Sequence, residues 1–367
     1  MTCGSARHLL HVFPTFAVGG SQMRFVQLAR LHGHRYRHTV VALDGVLAMA
    51  ARLPPGLKVD YLEAPFKTRS TIAGALDAWR LLNRVAPDVV VTYNWGSMDW
   101  GVAKWFRSGL KHVHIEDGFG PEEEKKQFRR RVWARRFVLN EHRTFVAVPS
   151  KRLETIALDV WRLPRERVRY IPNGIDYARF SSKRRDSKID SFVIGTVASL
   201  RTEKNLVRLI ELFCKAKARD PATRMKLMIV GDGPERAALE RAALESPHPE
   251  EIVFTGATSN PENFLAEMDV FALTSDTEQM PLSVLEAMAA GLPVVSFDVG
   301  DLPFMVAREN TLMASIPLAD DDAYVESLLH LVCDPGLRSL IGAANRKAAE
   351  TRFDERKMSA AYAELFG

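Results

Sequence analysis

Short apolar runs alternate with longer stretches of helical periodicity along almost the whole chain, which excludes all-helical, all-β and fibrous folds. Continuous apolar runs separated by helices are the mark of a parallel sheet covered on both faces. In the first half, strands are predicted at Leu9–Phe13, Thr39–Leu43, Val59–Leu62, Asp88–Thr92, His112–Ile115 and Phe145–Pro149. Helices are predicted at Gln22–Leu31, Ala73–Val85 and Glu122–Leu139. The polar, basic stretch from Ser181 to Lys188 lacks apolar periodicity and reads as a linker. The alternation then restarts with strands at Phe192–Ala198, Lys226–Val230, Ile252–Phe254, Val270–Leu273 and Pro293–Ser296. Helices are predicted at Asn205–Ala218, Pro234–Leu244 and Leu282–Ala290, and the last forty residues, from about Tyr324, read as helical. The pattern predicts an α/β chain of two Rossmann-like domains facing across a cleft, residues 1–180 and 181–350. Residues 351–367 are predicted to form a helix packing back toward the first domain. Ligands of such sheets bind beyond the carboxyl ends of the strands, so the cleft is the expected site.

The 367 residues fit two domains of about 150 each. With 47% hydrophobic and 26% charged residues, disordered and collagen-like chains are excluded. Cys3, Cys214 and Cys333 are too few for a disulfide framework and fit no zinc spacing, so a reducing, cytoplasmic setting is expected. No apolar run reaches the roughly 18 residues of a membrane span, and the N-terminus lacks a signal peptide's apolar core. The net charge of +5 is unevenly placed. Residues 1–180 hold 29 Lys and Arg against 16 acids, a net of +13, and residues 181–367 hold 21 against 29, a net of −8. The first half is therefore the one suited to an anionic partner. Nucleic acid is not the expected partner, because the basic residues lack stacking aromatics or a helix-turn-helix pattern.

The densest signal runs from Ser275 to Val295. A strand ends near Thr274, a polar loop carries Glu278, and a helix starts at Pro281 or Leu282, with Gly291 as its C-cap. The free amides around Leu282 and Ser283 suit a phosphate. Glu278 and Glu286 can accept hydrogen bonds from separate parts of one ligand, and metal-free carboxylates pair well with sugar hydroxyls. A second element, Val197 to Asn205, turns from a strand into a helix. Its Arg201 and Lys204 can clamp a diphosphate, the first as a fork and the second as a point charge. A third, Val18-Gly19-Gly20-Ser21-Gln22, follows the first strand, and its glycines let backbone amides approach a phosphate or sugar. A fourth runs from His112 to Gly120. Strand alternation would place His114 and Glu116 on one face. A carboxylate there could serve as a general base toward a hydroxyl or orient it. Gly231-Asp232-Gly233-Pro234-Glu235 reads as a tight turn, and Asp320-Asp321-Asp322 as a charged helix start rather than a metal motif.

Together these residues resemble the GT-B retaining glycosyltransferases of family 4. Glu278 and Glu286 match that family's E-x7-E motif. The run Ala287 to Val295 and the segment Tyr170-Ile171-Pro172-Asn173-Gly174-Ile175-Asp176 are also typical of it. The resemblance implies a nucleotide diphosphate sugar donor, UDP- or GDP-linked, with Glu278 at the hexose and Glu286 at the ribose. It places Met280, Pro281, Leu282 and Ser283 at the donor, and Arg201 and Lys204 at the leaving diphosphate, with no cofactor or metal expected. Lys204 matches cleanly, whereas Arg201 is offset from the family's commonest Arg position. Gly19 and Gly20 match the family's glycine pair, and Gln22 replaces its usual Glu. Where the family carries a His that touches the donor sugar, this chain has Asp117 or Glu116, with His114 just before.

Many members act on lipid-linked acceptors, which gives the stretch from Glu122 to Leu139 a meaning. Acids at its start and bases toward its end suit the helix dipole. Phe128, Val132 and Leu139 fall on one face, with Trp133 and Phe137 close by, and Arg129, Arg130, Arg131, Arg135 and Arg136 form the cationic remainder. Such a helix can lie peripherally on an anionic membrane. It could equally be a core-packed helix with a solvated basic side. The expected function is transfer of a sugar to a glycan or polyprenyl-linked hydroxyl in cell-surface polysaccharide biosynthesis. A non-catalytic sugar-nucleotide-binding subunit and a nucleotide-sugar epimerase are the alternatives.

Overall fold

A computed structural model describes residues 6–64, 71–107, 109–119, 123, 127–181 and 191–367. The chain divides into two compact units, one running to Gly174 and joined by Arg356–Gly367, the other Ile175–Glu355. Residues 182–188 of the predicted linker lie outside the described residues.

The first unit is built on seven parallel strands: β1 (Arg7–Phe13), β2 (Tyr36–Ala42), β3 (Val59–Glu63), β4 (Val89–Tyr93), β5 (Lys111–Ile115), β6 (Thr144–Val148) and β7 (Val168–Tyr170). Their order is β3-β2-β1-β4-β5-β6-β7, so the direction of winding reverses between β1 and β4. Alternate residues of β1 serve opposite faces. Leu9 and Phe13 pack with Val40, Val89 and Val113, and Leu10 and Val12 pack with Ala78, Leu81 and Trp100. The helix Glu355–Phe366 adds Met358, Tyr362, Leu365 and Phe366 to the first of these cores.

The second unit holds five parallel strands: β8 (Phe192–Val197), β9 (Met225–Val230), β10 (Ile252–Gly256), β11 (Val270–Leu273) and β12 (Val294–Ser296). Their order is β10-β9-β8-β11-β12, with the reversal between β8 and β11. The helical C-terminal region is interrupted at Asp334, whose side chain caps the helix Pro335–Arg352, and again at Phe353, whose carbonyl accepts from Ile175 N–H. Asp320 caps the helix Asp321–Cys333 by accepting from Ala323 N–H. Asp321 pairs with Arg208 and Lys215, so the acidic run is a helix start.

One predicted helix needs correction. The helix is Arg129–Leu139, not 122–139. Of residues 120–126 only Glu123 is described, and it lies before the helix, where its carboxylate accepts from Phe128 N–H at 3.0 Å and from Arg131 and Arg135. The buried side of this helix is Arg135, Val138 and Leu139, while Phe128, Trp133 and Phe137 are exposed. The predicted apolar face is therefore divided. Glu116 and Glu123 draw Arg135 inward, which rotates the aromatics toward solvent.

Candidate functional site

In open α/β sheets the loops beyond the strands that flank the winding reversal form a natural ligand crevice. In the second unit these are the loops after β8 and β11, which carry Lys204 and Glu278. Backbone and side-chain bonds join them. Asp276 N–H donates to the Glu203 carbonyl at 3.0 Å, Thr274 Oγ1 to the Asn205 carbonyl at 3.0 Å, and Asn205 Nδ2 to Asp276 Oδ1 at 2.8 Å. Asn205 occupies the left-handed region at φ 46°, which turns the chain into the helix Leu206–Arg219. Lys204 Nζ thereby reaches Glu278 Oε1 at 2.5 Å, and Ser275 Oγ donates to the same oxygen at 2.8 Å. The other Glu278 oxygen takes no bond from the described residues. Arg201 stands on the same loop and is exposed, its guanidinium 4.0 Å from Glu203.

Three glycines that the E-x7-E spacing does not single out support these loops. Gly231 has φ +141°, and a Cβ there would overlap the Ala198 carbonyl. A Cβ at Gly233 would overlap the Leu200 carbonyl. Leu200 N–H donates to the Asp232 carbonyl at 3.0 Å. The turn Gly231–Gly233 is thus the backing of the Lys204 loop. Gly300, at φ +56°, would place a Cβ 2.5 Å from the Glu278 carbonyl oxygen, so only glycine lets that segment lie against the Glu278 loop.

The helix Leu282–Ala289 begins after Pro281, and no side chain caps it, leaving the Leu282 and Ser283 amides directed at the loop. Pro281 is buried and Leu282 and Ser283 half-buried, while the Met280 side chain belongs to the core with Val284 and Leu285. Met280 can therefore offer a ligand its backbone and not its thioether. Glu286 stands one turn inside the helix, half-buried, and its carboxylate has no bond or ion pair with the described residues. Burial pushes its carboxyl up to about 7, with Arg179 opposing and Glu262 reinforcing the shift. A carboxylate left without a partner in a half-buried position is prepared for hydroxyl donors that the protein does not supply.

The first unit treats its candidates differently. Gly19 is extended and caps the helix Gly20–His32. A Cβ at Gly20 would meet nothing, so its surroundings are open, whereas one at Gly19 would lie 2.7 Å from Gln22 Oε1. Gln22 is held in place, donating to the Thr15 carbonyl at 2.8 Å. His114 and Glu116 do share a side, with His114 Nε2 3.6 Å from Glu116 Oε2, but both are fully buried. Thr92 Oγ1 lies 2.8 Å from His114 Nδ1. Arg135 Nε donates to Glu116 Oε2 at 3.2 Å, and its guanidinium lies 5.0–5.2 Å from the rings of Trp95, Phe119 and Trp161. The expectation that either residue meets an acceptor is corrected: both are committed to the interior. Asp117 keeps some exposure but is paired with Arg24. Among the described residues, no group of three or more His, Cys, Asp or Glu is placed to hold a metal, and no helix is long and apolar enough to cross a membrane.

Comparison with known proteins accords with this arrangement. Residues 18–179 match the Glycosyltransferase Family 4 domain, and residues 191–334 match the domain described as Glycosyl transferases group 1. The lipopolysaccharide core biosynthesis glycosyltransferase LpsD of Rhizobium meliloti is 28% identical over 177 residues, 48% of this chain and 50% of that protein. The GDP-mannose-dependent alpha-mannosyltransferase of Mycobacterium tuberculosis is 36% identical over 176 residues, 45% of this chain and 43% of that protein. The chain spans about half the length of these curated relatives. Anabaena HepE, solved in complex with UDP and glucose, superposes with a TM-score of 0.81 over 98% of both chains at 17% identity, a likeness of fold. With a family 4 domain followed by a group 1 domain on two parallel-sheet units, the chain belongs to the glycosyltransferases of the GT-B fold.

Proposed function

We propose that this protein transfers a sugar from a UDP- or GDP-linked donor to a hydroxyl of a lipid-linked glycan, with retention of anomeric configuration, in cell-surface polysaccharide biosynthesis. The observation that carries the reading is the grouping of Lys204, Glu278, Glu286 and two uncapped helix amides at the winding reversal of one sheet. In this reading the second unit binds the donor and the first addresses the acceptor. Lys204, Arg201 and the Leu282 and Ser283 amides meet the charge of the departing diphosphate. Stabilisation of developing charge by fixed groups is usually the largest catalytic contribution, and here it calls for no metal. Glu278 takes the donor hexose through its uncommitted oxygen, and Glu286 takes the ribose hydroxyls. Gly19 and Gly20 admit a phosphate or sugar to the open face of the first helix.

The lipid-linked acceptor and a peripheral membrane contact are supported by the outer side of the helix Arg129–Leu139. Trp133 is 71% exposed and Phe137 59%, and Phe106, which follows the neighbouring helix Met98–Trp105, is 72% exposed. Arg129, Arg130 and Arg136 stand among them, exposed. Aromatics beside arginines suit the headgroup region of an anionic bilayer. Reversal of these three arginines to Glu should abolish flotation with phosphatidylglycerol vesicles, and unchanged flotation would remove the membrane from the proposal. The transfer itself is tested by incubating the protein with UDP-glucose and GDP-mannose and following nucleoside diphosphate release and the product's anomeric proton by NMR. An α product from these α donors is expected, and a β product would exclude retention.

A further inference from the structure

Three loops and the first helix of the first unit meet around one guanidinium. Arg24, in the second turn of the helix after β1, is buried. Its Nη1 donates to Asn173 Oδ1 at 2.9 Å and its Nη2 donates to Asp117 Oδ1. Asp117 N–H donates in turn to Asn94 Oδ1 at 2.7 Å. Asn94 follows β4, Asp117 follows β5 and Asn173 follows β7, so every contributor lies beyond the carboxyl end of a strand. β1 and β4 flank the winding reversal of this sheet, the counterpart of the position that holds Lys204 and Glu278 in the other unit.

The arrangement is costly as plain architecture. Asn94 holds φ 56° and ψ 179°, a region that glycine enters easily and other residues enter only at a cost in strain. Burying a guanidinium and a carboxylate is costly before their attraction is counted, and apolar residues of the same volume are often at least as stable. The cluster is also not closed on itself. Arg24 Nε, Asp117 Oδ2 and the Tyr362 hydroxyl, whose ring lies 5.8 Å from the guanidinium, are buried without a partner among the described residues. Strain, buried charge and uncommitted polar atoms coincide at Asp117, whose side chain keeps 19% exposure. Burial opposes the charge on Arg24, and Asp117 together with Tyr362 and Tyr93 more than offsets it, so the guanidinium is held charged.

We propose that Arg24 is a positioning residue that fixes Asp117 as the acceptor of a sugar hydroxyl's hydrogen bond, with Asn94 and Asn173 setting the geometry. Arg24 holds one oxygen of Asp117, which leaves the other for the hydroxyl. The inference rests on the glycosyl-transfer reading and names residues of the first unit, none of them among those assigned to the nucleotide.

The test compares wild type with Arg24→Met, Asp117→Asn, their double variant and Arg24→Lys. Thermal shifts with UDP and GDP report nucleotide binding. Nucleoside diphosphate release from UDP-glucose and GDP-mannose, with water and with octyl glucoside as acceptors, reports turnover. The nucleotide shifts should stay at the wild-type value in every variant. Turnover should fall about a hundredfold in each single variant and no further in the double, because the two side chains act as one unit. Arg24→Lys should recover at least about tenfold over Arg24→Met, since it keeps the ion pair but not the fork. Single effects that multiply in the double variant, a lysine no better than methionine, or wild-type turnover in Asp117→Asn would each overturn the proposal. If Arg24→Met fails to fold, Arg24→Lys and Asp117→Asn and their double carry the same comparison. A wild-type protein that shows no nucleotide shift would instead overturn the donor reading, and this inference with it.

Discussion

The two sheets offer their loops at the same topological position but commit their acids in different ways. In the second unit, Glu278 shares one oxygen with Lys204 and Ser275 and takes no bond to the other from the described residues, and Glu286 has no bond or ion pair among them. In the first unit, Glu116 is sealed beneath Arg135 and Asp117 is bound to Arg24. Glu278, Glu116 and Asp117 each give one oxygen to a cation and keep the other without a bond from the described residues, so the count of bonds does not separate the units. The difference lies in the cations each unit brings to its acids. Lys204 sits on a surface loop, while Arg135 and Arg24 reach inward from helices and are themselves buried.

The contrast is most easily broken at its active side. Lys204→Ala and Glu278→Ala should each lower kcat/KM by roughly a thousandfold in nucleoside diphosphate release, in line with removal of a group that stabilises developing charge, with circular dichroism unchanged. A loss under tenfold in both would remove the distinction between the units. On the scaffold side, Arg135→Met leaves Glu116 buried without its cation and Glu123 with Arg131 alone, and should cost about 3–5 kcal/mol in urea unfolding, while the thermal shift with nucleotide persists. A stable Arg135→Met protein that no longer binds nucleotide would place that network in the site.

The units should also respond to pH in opposite directions. The Glu286 carboxyl titrates near 7 when folded and near 4.5 when unfolded. The stability it contributes is complete below the unfolded value and is lost as pH rises through about 7. Ligand hydroxyls favour the ionised form, so donor affinity should weaken by about tenfold between pH 8 and pH 6, and Glu286→Gln should flatten that dependence. In the first unit, burial holds His11 well below the ordinary value of 6.5 and His38 down to about 4. His11 lies between Tyr93 and His38, at 3.1 Å from each. Their contribution is present above 6.5 and is lost as pH falls toward 4. Calorimetry from pH 8 to pH 5 checks both slopes, and parallel shifts of all transitions would contradict the assignment.

How far the sequence discloses this follows from how local each feature is. Most strands were legible because their apolar runs are uninterrupted. β7 was not, since Val168-Arg169-Tyr170 is too short and too polar to register, and the helix Met98–Trp105 is obscured by the glycines at 96 and 101. Glu278 and Glu286 were legible because one loop and one helix turn set their spacing. The fates of His114, Glu116 and Asp117 were not, because their partners come from elsewhere in the chain. Arg24 lies 93 residues from Asp117 and 149 from Asn173, separations that no local pattern encodes. Gly300 reads as an ordinary loop glycine until the fold brings it against the Glu278 carbonyl.

The central claim is that the loops after β8 and β11 form a nucleotide-sugar site, and a thermal-shift series with UDP, GDP, UDP-glucose and GDP-mannose tests it most directly. A ligand at a hundred times its Kd stabilises the folded chain by about 2.7 kcal/mol, which appears as a melting rise of several degrees. The account predicts such a rise for one nucleotide and its sugar conjugate, and its loss in Lys204→Ala. No rise with any of the four, or an equal rise in wild type and Lys204→Ala, would contradict it.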